Sequence, residues 1–483
     1  MKTISMLING ETLNASSGAT FERRNPLDGE IATRAPAATV ADALEAVEAA
    51  AAAFPAWSAT GPAERRDLLL KAAQALSARA ADFAAAIAGE TGGSGAWAGF
   101  DVHLATGHLL EAAALTTQIS GEVIPSNVPG NLAMGIRQPA GVVLGIAPWN
   151  AAVILGVRAI AVPLACGNTV VLKGCELCPA THALIVEALQ DAGFPKGVVN
   201  FVTNAPADAG SVVEAMIAHP AVRRVNFTGS TRVGKIIAST CAKHLKPVVL
   251  ELGGKAPLLV LDDADIDAAV NAATFGAFAN SGQICMSTER IIVDAKIADD
   301  FVARLAAKAA SLPLGDPRQG PVVLGSVVDR STVERCNAMI DDALAKGAVL
   351  LCGGKADSTL MPATLLDHVT PDMTIYSEES FGPVKGIVRV NGDQEAVACA
   401  NDNAFGLSAA VFSRDVGRAL GIASRIQSGI CHINASTVHD EPQMPFGGVK
   451  DSGIGRFGGK AGVAEFTDLR WITLQTTTRQ YPF

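Results

Sequence analysis

From Gly141 onward the sequence alternates short apolar, β-branched runs with longer helical ones. Val142–Ile146 and residues 169–172, 198–202 and 225–227 predict buried strands, with helical patterns over 181–192 and Ala209–Ala218 between them. Alternation at this spacing packs well only as a parallel sheet with helices on both faces, so an α/β fold is expected. A second α/β block is expected from Ala256 to about Asn434. Upstream, an alanine-rich helical pattern fills 40–88 with Pro55 and Pro62 as interruptions, and another helix starts near Ser94. The N-terminus reads as a strand meeting a turn at Asn9-Gly10. Turn formers crowd 120–130, and residues 132–137 read as an extended arm. The β-branched stretch 471–478 predicts a strand near the C-terminus, open to pairing with another subunit.

Several function classes are disfavoured. A net charge of −9 without blocks of like charge argues against nucleic acid and anionic membrane surfaces as partners. Residues 141–157 are uncharged and mostly apolar, but Pro148, Trp149 and Asn150 interrupt them, so a buried strand and helix is expected rather than a membrane span. Nine cysteines without an export signal fit reduced thiols in a cytoplasmic protein. Cys175 and Cys178 form a C-x-x-C with His182 beyond; without a second pair they read as half-buried thiols, and no metal is expected.

Four segments carry the chemistry. Cys285 follows Gly282-Gln283-Ile284 in a small, apolar surround, and Glu251 ends an apolar run before Leu252-Gly253-Gly254-Lys255. A thiol nucleophile needs a base and donors for the oxyanion it generates, and Glu251 is a candidate base. The run Asn226-Phe227-Thr228-Gly229-Ser230-Thr231-Arg232-Val233-Gly234 leads from a strand into a helix. Gly229 and Gly234 would permit close backbone approach, and the helix N-terminus would favour a diphosphate, although a plain capped turn explains the same residues. Lys173 and Glu176 follow the strand at 169–172, where ligands of parallel sheets bind; they could hold ribose hydroxyls or form a solvated turn.

Taken in order, Pro148-Trp149-Asn150, Lys173 with Glu176, the Gly229–Gly234 turn, Glu251-Leu252-Gly253-Gly254-Lys255, Gly282-Gln283-Ile284-Cys285, Glu379-Ser380-Phe381-Gly382-Pro383-Val384 and Pro445-Phe446-Gly447-Gly448-Val449-Lys450 resemble the NAD(P)-dependent aldehyde dehydrogenase superfamily across essentially the whole chain. Within it, Phe227–Thr231, Cys285–Arg290, Thr437–Glu441 and the Tyr481-Pro482-Phe483 ending are similar to bacterial vanillin and salicylaldehyde dehydrogenases. The turn after Lys173 departs from the family pattern, with Gly174-Cys175 in place of the usual proline or serine and a small residue.

The resemblance implies a Rossmann-like cofactor domain over 1–118 and 140–250 and a catalytic α/β domain over 251–450. It also implies a small β oligomerisation element over 119–139 and 451–483, building a homodimer or homotetramer. Cys285 would attack an aldehyde, Asn150 and the Cys285 N–H would hold the oxyanion, and Glu251 would activate water against the thioester. NAD would be held by Lys173 and Glu176 at the adenosine ribose, Gly229, Ser230 and Gly234 at the diphosphate, and Glu379 and Phe381 at the nicotinamide ribose. Trp149 would line the junction with the substrate. A carboxylate at the 2′-hydroxyl would repel a 2′-phosphate, favouring NAD over NADP. The substrate walls would include Trp97, Met286 and Phe446, which suit a flat aromatic aldehyde such as vanillin or a hydroxybenzaldehyde. Arg158, in an apolar helix after Asn150, either holds a ring hydroxyl or pairs structurally with a carboxylate. Salicylaldehyde, benzaldehyde or a broad aldehyde range are the alternatives. An acylating enzyme using coenzyme A is disfavoured by Glu251, and a non-catalytic protein on this fold by the joint presence of Cys285, Glu251 and Asn150.

Overall fold

The computed structural model describes residues 1–483 and contains two large sheets. Five parallel strands form the centre of the first, in the order Val199–Val202, Thr169–Lys173, Val142–Ile146, Val222–Thr228 and Val248–Glu251. The first three strands in the chain run outward in one direction and the last two in the other. The order therefore reverses between Val142–Ile146 and Val222–Thr228, and loops leaving these two strands diverge to open a crevice. The Met6–Ile8/Glu11–Leu13 hairpin extends one edge, turning at Asn9-Gly10, where both residues have positive φ. Gly453–Ile454 closes the other edge, antiparallel to Val248–Glu251.

The second sheet runs Val349–Cys352, Thr364–Asp367, Val384–Val390, Thr288–Asp294, Ala256–Val260, Ser408–Phe412 and Ile430–Ile433, parallel except for its first strand. Its three middle strands are almost wholly buried, as the continuous apolar runs require when helices cover both faces. The helix Ala152–Ala165 is buried along its full length, which explains its membrane-like composition. No helix is long and apolar enough to cross a membrane.

Two local expectations are corrected. Pro55 does not break its helix; Val40–Ser58 continues through it, started by a Thr39–Asp42 capping box. The C-terminal strand, Thr467–Gln475, pairs with the full length of Asn131–Pro139, with Glu122–Ile124 as the third strand, and as an edge strand it keeps its other side open to another subunit. The second correction concerns the segment before it: residues 451–466 lie outside this small sheet, and Gly453–Ile454 instead joins the first large one.

Candidate active site

The two sheets present opposite strand ends to one cleft. From the first come carboxyl ends: Trp149 and Asn150 after Ile146, Glu176 after Lys173, Ser230 after Thr228, and Glu251 as the last residue of its own strand. From the second come amino ends: Cys285 just before Thr288–Asp294 and Glu379 just before Val384–Val390.

Cys285 is delivered by a strained turn. Asn280, Ser281 and Gly282 all have positive φ (48°, 55° and 72°), a conformation that costs a non-glycine residue about 1 kcal/mol or more and that surrounding bonds must hold. Those bonds are present. Asn280 Nδ2 donates to the Asn150 carbonyl at 2.8 Å, Ser281 Oγ to Gly325 at 3.1 Å, and the Gln283 side chain accepts from the Val328 N–H at 2.8 Å. Asn150 is fixed from its other side as well. Its Nδ2 donates to the Gln283 carbonyl at 3.1 Å, and its own carbonyl accepts from Trp97 Nε1 at 3.1 Å. Asp101 accepts the N–H groups of Val153 and Ile154, starting the helix that follows. Thiol and amide are thus locked to one another across 135 residues of chain.

Glu251 is buried, and neither of its carboxylate oxygens has a hydrogen-bond partner. Burial pushes its pKa up to about 7, against smaller downward effects of the Arg158 charge and the Cys285 thiol. Burial also raises the Cys285 thiol well above its ordinary value, and the neighbouring carboxylate raises it further. A glutamate poised near neutrality beside a thiol can take a proton from that thiol or from a water.

A cavity of about 420 Å³ runs from Cys285, Glu251 and Asn150 past Glu379 and Phe381 to Ser230. A second, of about 590 Å³, continues from Trp149, Gly229 and Ser230 to Lys173 and Glu176 between apolar walls that include Val213 and Ile237. Lys173 and Glu176 form an ion pair, and Asn204 Nδ2 donates to the same carboxylate at 3.0 Å. Ser230 caps the helix Thr231–Lys243, whose N-terminal amides face the junction of the two cavities. Glu379 accepts from the Gly254 N–H at 2.8 Å; burial pushes its pKa up to about 7, and a Cβ at Gly253 would collide with its carboxylate. Phe381, with φ +42°, meets Trp149 edge to face at 5.8 Å. A long groove with a carboxylate near each end, a helix N-terminus at its middle and apolar walls at one end fits a dinucleotide.

Gly234 does not line the groove. A Cβ there would strike Leu252, so this glycine serves helix packing rather than approach to a diphosphate. Trp97, Met286 and Phe446 are buried in the hydrophobic cluster against which Cys285 packs. Phe446 lines a separate cavity of about 290 Å³ with Asp440, His432 and His439. Arg158 is buried and ion-paired with Asp440, contacts His108 Nε2 at 3.3 Å, and lies over the Phe446 ring at 4.3 Å. Its guanidinium is therefore not a free pocket cation, although Arg158 Nε and Asp440 Oδ1 remain unpartnered. His108 and Asp101 carried no signal in the sequence, and Asp440 only as part of the Thr437–Glu441 stretch with no role attached, because their partners lie 50 to 282 residues away. Cys175 and Cys178 are buried thiols beside His182, and no group of three potential ligands is placed to hold a metal.

The aldehyde dehydrogenase family model matches residues 13–472. A vanillin dehydrogenase of Pseudomonas fluorescens is 62% identical over 482 residues, covering 100% of both chains. A salicylaldehyde dehydrogenase of Pseudomonas sp. strain C18 is 51% identical over 484 residues, again covering 100% of both. The crystal structure of a salicylaldehyde dehydrogenase from Pseudomonas putida G7 complexed with salicylaldehyde superposes with a TM-score of 0.98 at 50% identity, covering 100% of both chains.

The raised carboxyl of Glu251 has a consequence for stability. A buried acid with a folded pKa near 7 and an ordinary unfolded value binds more protons when folded, so its contribution is full at acid pH and is lost as pH rises through 7. Glu251→Gln should unfold at a higher temperature than the parent at pH 8, by an amount equivalent to at most about 3 kcal/mol, and at a similar one at pH 5. Thermal melts at the two pH values check this; the same difference from the parent at both would show the carboxylate to be solvated, and a variant relatively less stable at pH 8 would show it to be paired.

Proposed function

The chain belongs to the aldehyde dehydrogenase family, and we propose that it oxidises hydroxylated aromatic aldehydes to carboxylic acids with NAD, using Cys285 as nucleophile and Glu251 as base. The single observation that carries the chemistry is the unpartnered carboxylate of Glu251, with its pKa near 7, beside the Cys285 thiol. Glu251 takes the thiol proton as Cys285 Sγ bonds to the aldehyde carbon. The second N–H of the Asn150 amide and the Cys285 backbone N–H hold the oxygen that becomes anionic. The dinucleotide supplies, when bound, the acceptor for the hydride whose departure turns the thiohemiacetal on Cys285 into a thioester. Glu251 gives up the thiol proton to solvent and then takes a proton from water, which adds to the thioester carbon; the acid leaves as the Cys285 thiolate is released, and Glu251 returns its proton to that thiolate.

Lys173 and Glu176 hold the adenosine ribose, and Ser230 with the helix amides holds the diphosphate. Glu379 and Phe381 position the nicotinamide ribose, and Trp149 lines its junction with the substrate. The Glu176 carboxylate favours a free 2′-hydroxyl over a phosphate, hence NAD over NADP. The aromatic substrate is supported by the vanillin and salicylaldehyde relatives and by Trp97, Met286 and Phe446 in the hydrophobic cluster against which Cys285 packs. Exposed Val123, Leu469 and Trp471 on the small sheet support a homo-oligomer, and the lack of a membrane-crossing helix is compatible with a cytoplasmic setting.

Purified protein with NAD should show higher kcat/KM for vanillin and salicylaldehyde than for a short aliphatic aldehyde; equal use of the aliphatic one would discard the aromatic reading. Cys285→Ala should lose turnover by at least about a thousandfold while still binding NAD, and retained turnover would remove the covalent route. Glu251→Gln should give one reduced nicotinamide per site and then stall, whereas steady turnover at the parent rate would point to another base.

Arg158 and Asp440 together could grip a ring hydroxyl through their unpartnered atoms. Arg158→Ala should then raise KM for hydroxybenzaldehydes several-fold more than for benzaldehyde, in line with about 1–3 kcal/mol for a lost buried hydrogen bond. Equal rises for both would make the pair structural.

A further inference from the structure

Three charged side chains are buried where the site-bearing loops enter the second sheet. Lys255, Glu289 and Lys385 are 0%, 3% and 0% exposed. They sit on three adjacent parallel strands, Lys255 one residue before Ala256–Val260, Glu289 one residue into Thr288–Asp294, and Lys385 one residue into Val384–Val390. The pairing of Ala256 with Thr288 and of Arg290 with Gly386 brings them side by side. Each strand follows closely on a residue of the site: Glu251 at the end of the preceding strand, and Cys285 and Glu379 on the entering loops.

The bonds of this cluster are unevenly directed. The Glu289 carboxylate accepts from Lys255 Nζ at 2.8 Å, Lys385 Nζ at 2.5 Å, Ser380 Oγ at 2.7 Å and the Ser380 N–H at 3.0 Å. Lys255 Nζ donates a further bond to the Glu378 carbonyl at 2.6 Å. Lys385 Nζ also reaches Ser380 Oγ at 3.2 Å. Residues 378 and 380 are therefore held on both sides of Glu379, while Cys285 and Glu251 receive no bond from the cluster. Buried ion clusters are weak stabilisers compared with packed apolar side chains, so stability alone does not account for one placed here. The cluster also lies close enough to act on the buried carboxyl of Glu379 through space, Glu289 opposing its charged form and the two lysines favouring it.

We propose that Glu289 is a positioning residue for the cofactor ribose: with Lys255, Lys385 and Ser380 it fixes loop 378–381 so that Glu379 and Phe381 meet the nicotinamide ribose, and it takes no part in the thiol chemistry. This rests on reading the groove as a nicotinamide dinucleotide site.

The test separates cofactor binding from the thiol. NAD binding is measured by quenching of tryptophan fluorescence, and Cys285 reactivity by hydrolysis of an activated aryl ester in the absence of cofactor. Glu289→Gln should raise the Kd for NAD about tenfold or more, as displacement of a positioned group by about an ångström does, with ester hydrolysis within about twofold of the parent. The KM for NAD should rise while that for aldehyde does not. Ser380→Ala, which removes one donor and no charge, should show the same split at smaller size and carries the test if Glu289→Gln does not fold. A loss of ester hydrolysis matching the loss of NAD affinity would overturn the proposal, as would an unchanged Kd in both variants. If the parent itself bound neither NAD nor NADP, the reading of the groove would fall first, and this inference with it.

Discussion

The cost of burying Glu251 is the constraint around which the rest of the molecule is arranged. A carboxylate with neither oxygen partnered is unfavourable in a protein interior, and the Cys285 thiolate would be as well. Left to relax, such groups turn toward water or find a donor. Here they cannot. Glu251 is the last residue of a strand paired on both sides, to Val222–Thr228 and to Gly453–Ile454, and the Cys285 turn is bonded to Asn150, Gly325 and Val328. Regular structure on one side and a strained turn on the other hold two groups in a condition that favours proton transfer over ion pairing.

The meeting of opposite strand ends gives this site a feature that a single sheet lacks. Loops from carboxyl ends supply Asn150, Glu176 and Ser230, and a strand end supplies Glu251, around the reversal in strand order. Loops from amino ends supply Cys285 and Glu379. Since the two sets belong to different sheets, the distance between nucleophile and base depends on contacts between loops. Gly254 is one such contact: a Cβ there would run into the Cys285 carbonyl, while its N–H anchors Glu379. Glycine at 253 and 254 is thus required by three segments of the chain, those carrying Gly253-Gly254, Cys285 and Glu379, crossing in one place.

What could be read from the sequence was the part written locally. Strand and helix alternation marked the first sheet, and Ser230 and the Asn9-Gly10 turn carried their own signals because capping and positive φ depend on neighbouring residues. Cys285, Glu251 and Asn150 were legible as members of motifs, but their bonds to one another were not. The Arg158–Asp440 pair spans 282 residues and the Lys255–Glu289–Lys385 cluster three separate strands, so no window of sequence contains either. Gly234 was misread for a related reason. A glycine after a helix start looks the same whether the space it leaves is filled by a ligand or, as here, by Leu252.

Arg158 acts on the chemistry of the site from outside its cavity. It does not line the cavity that holds Cys285 and Glu251, yet its charge lowers the pKa of both. Asp440 draws on the same charge: burial opposes its ionisation, but Arg158 and His108 hold its carboxyl well below the usual range. The guanidinium is thus shared between a carboxylate it touches and two acids it reaches only through space. Anything that changes the Arg158–Asp440 bond, including a polar ring substituent inserted at their unpartnered atoms, alters how much positive charge is left to favour the Cys285 thiolate and the Glu251 carboxylate. One buried cation is thus placed to bias both acids of the site while it is held by Asp440 and His108.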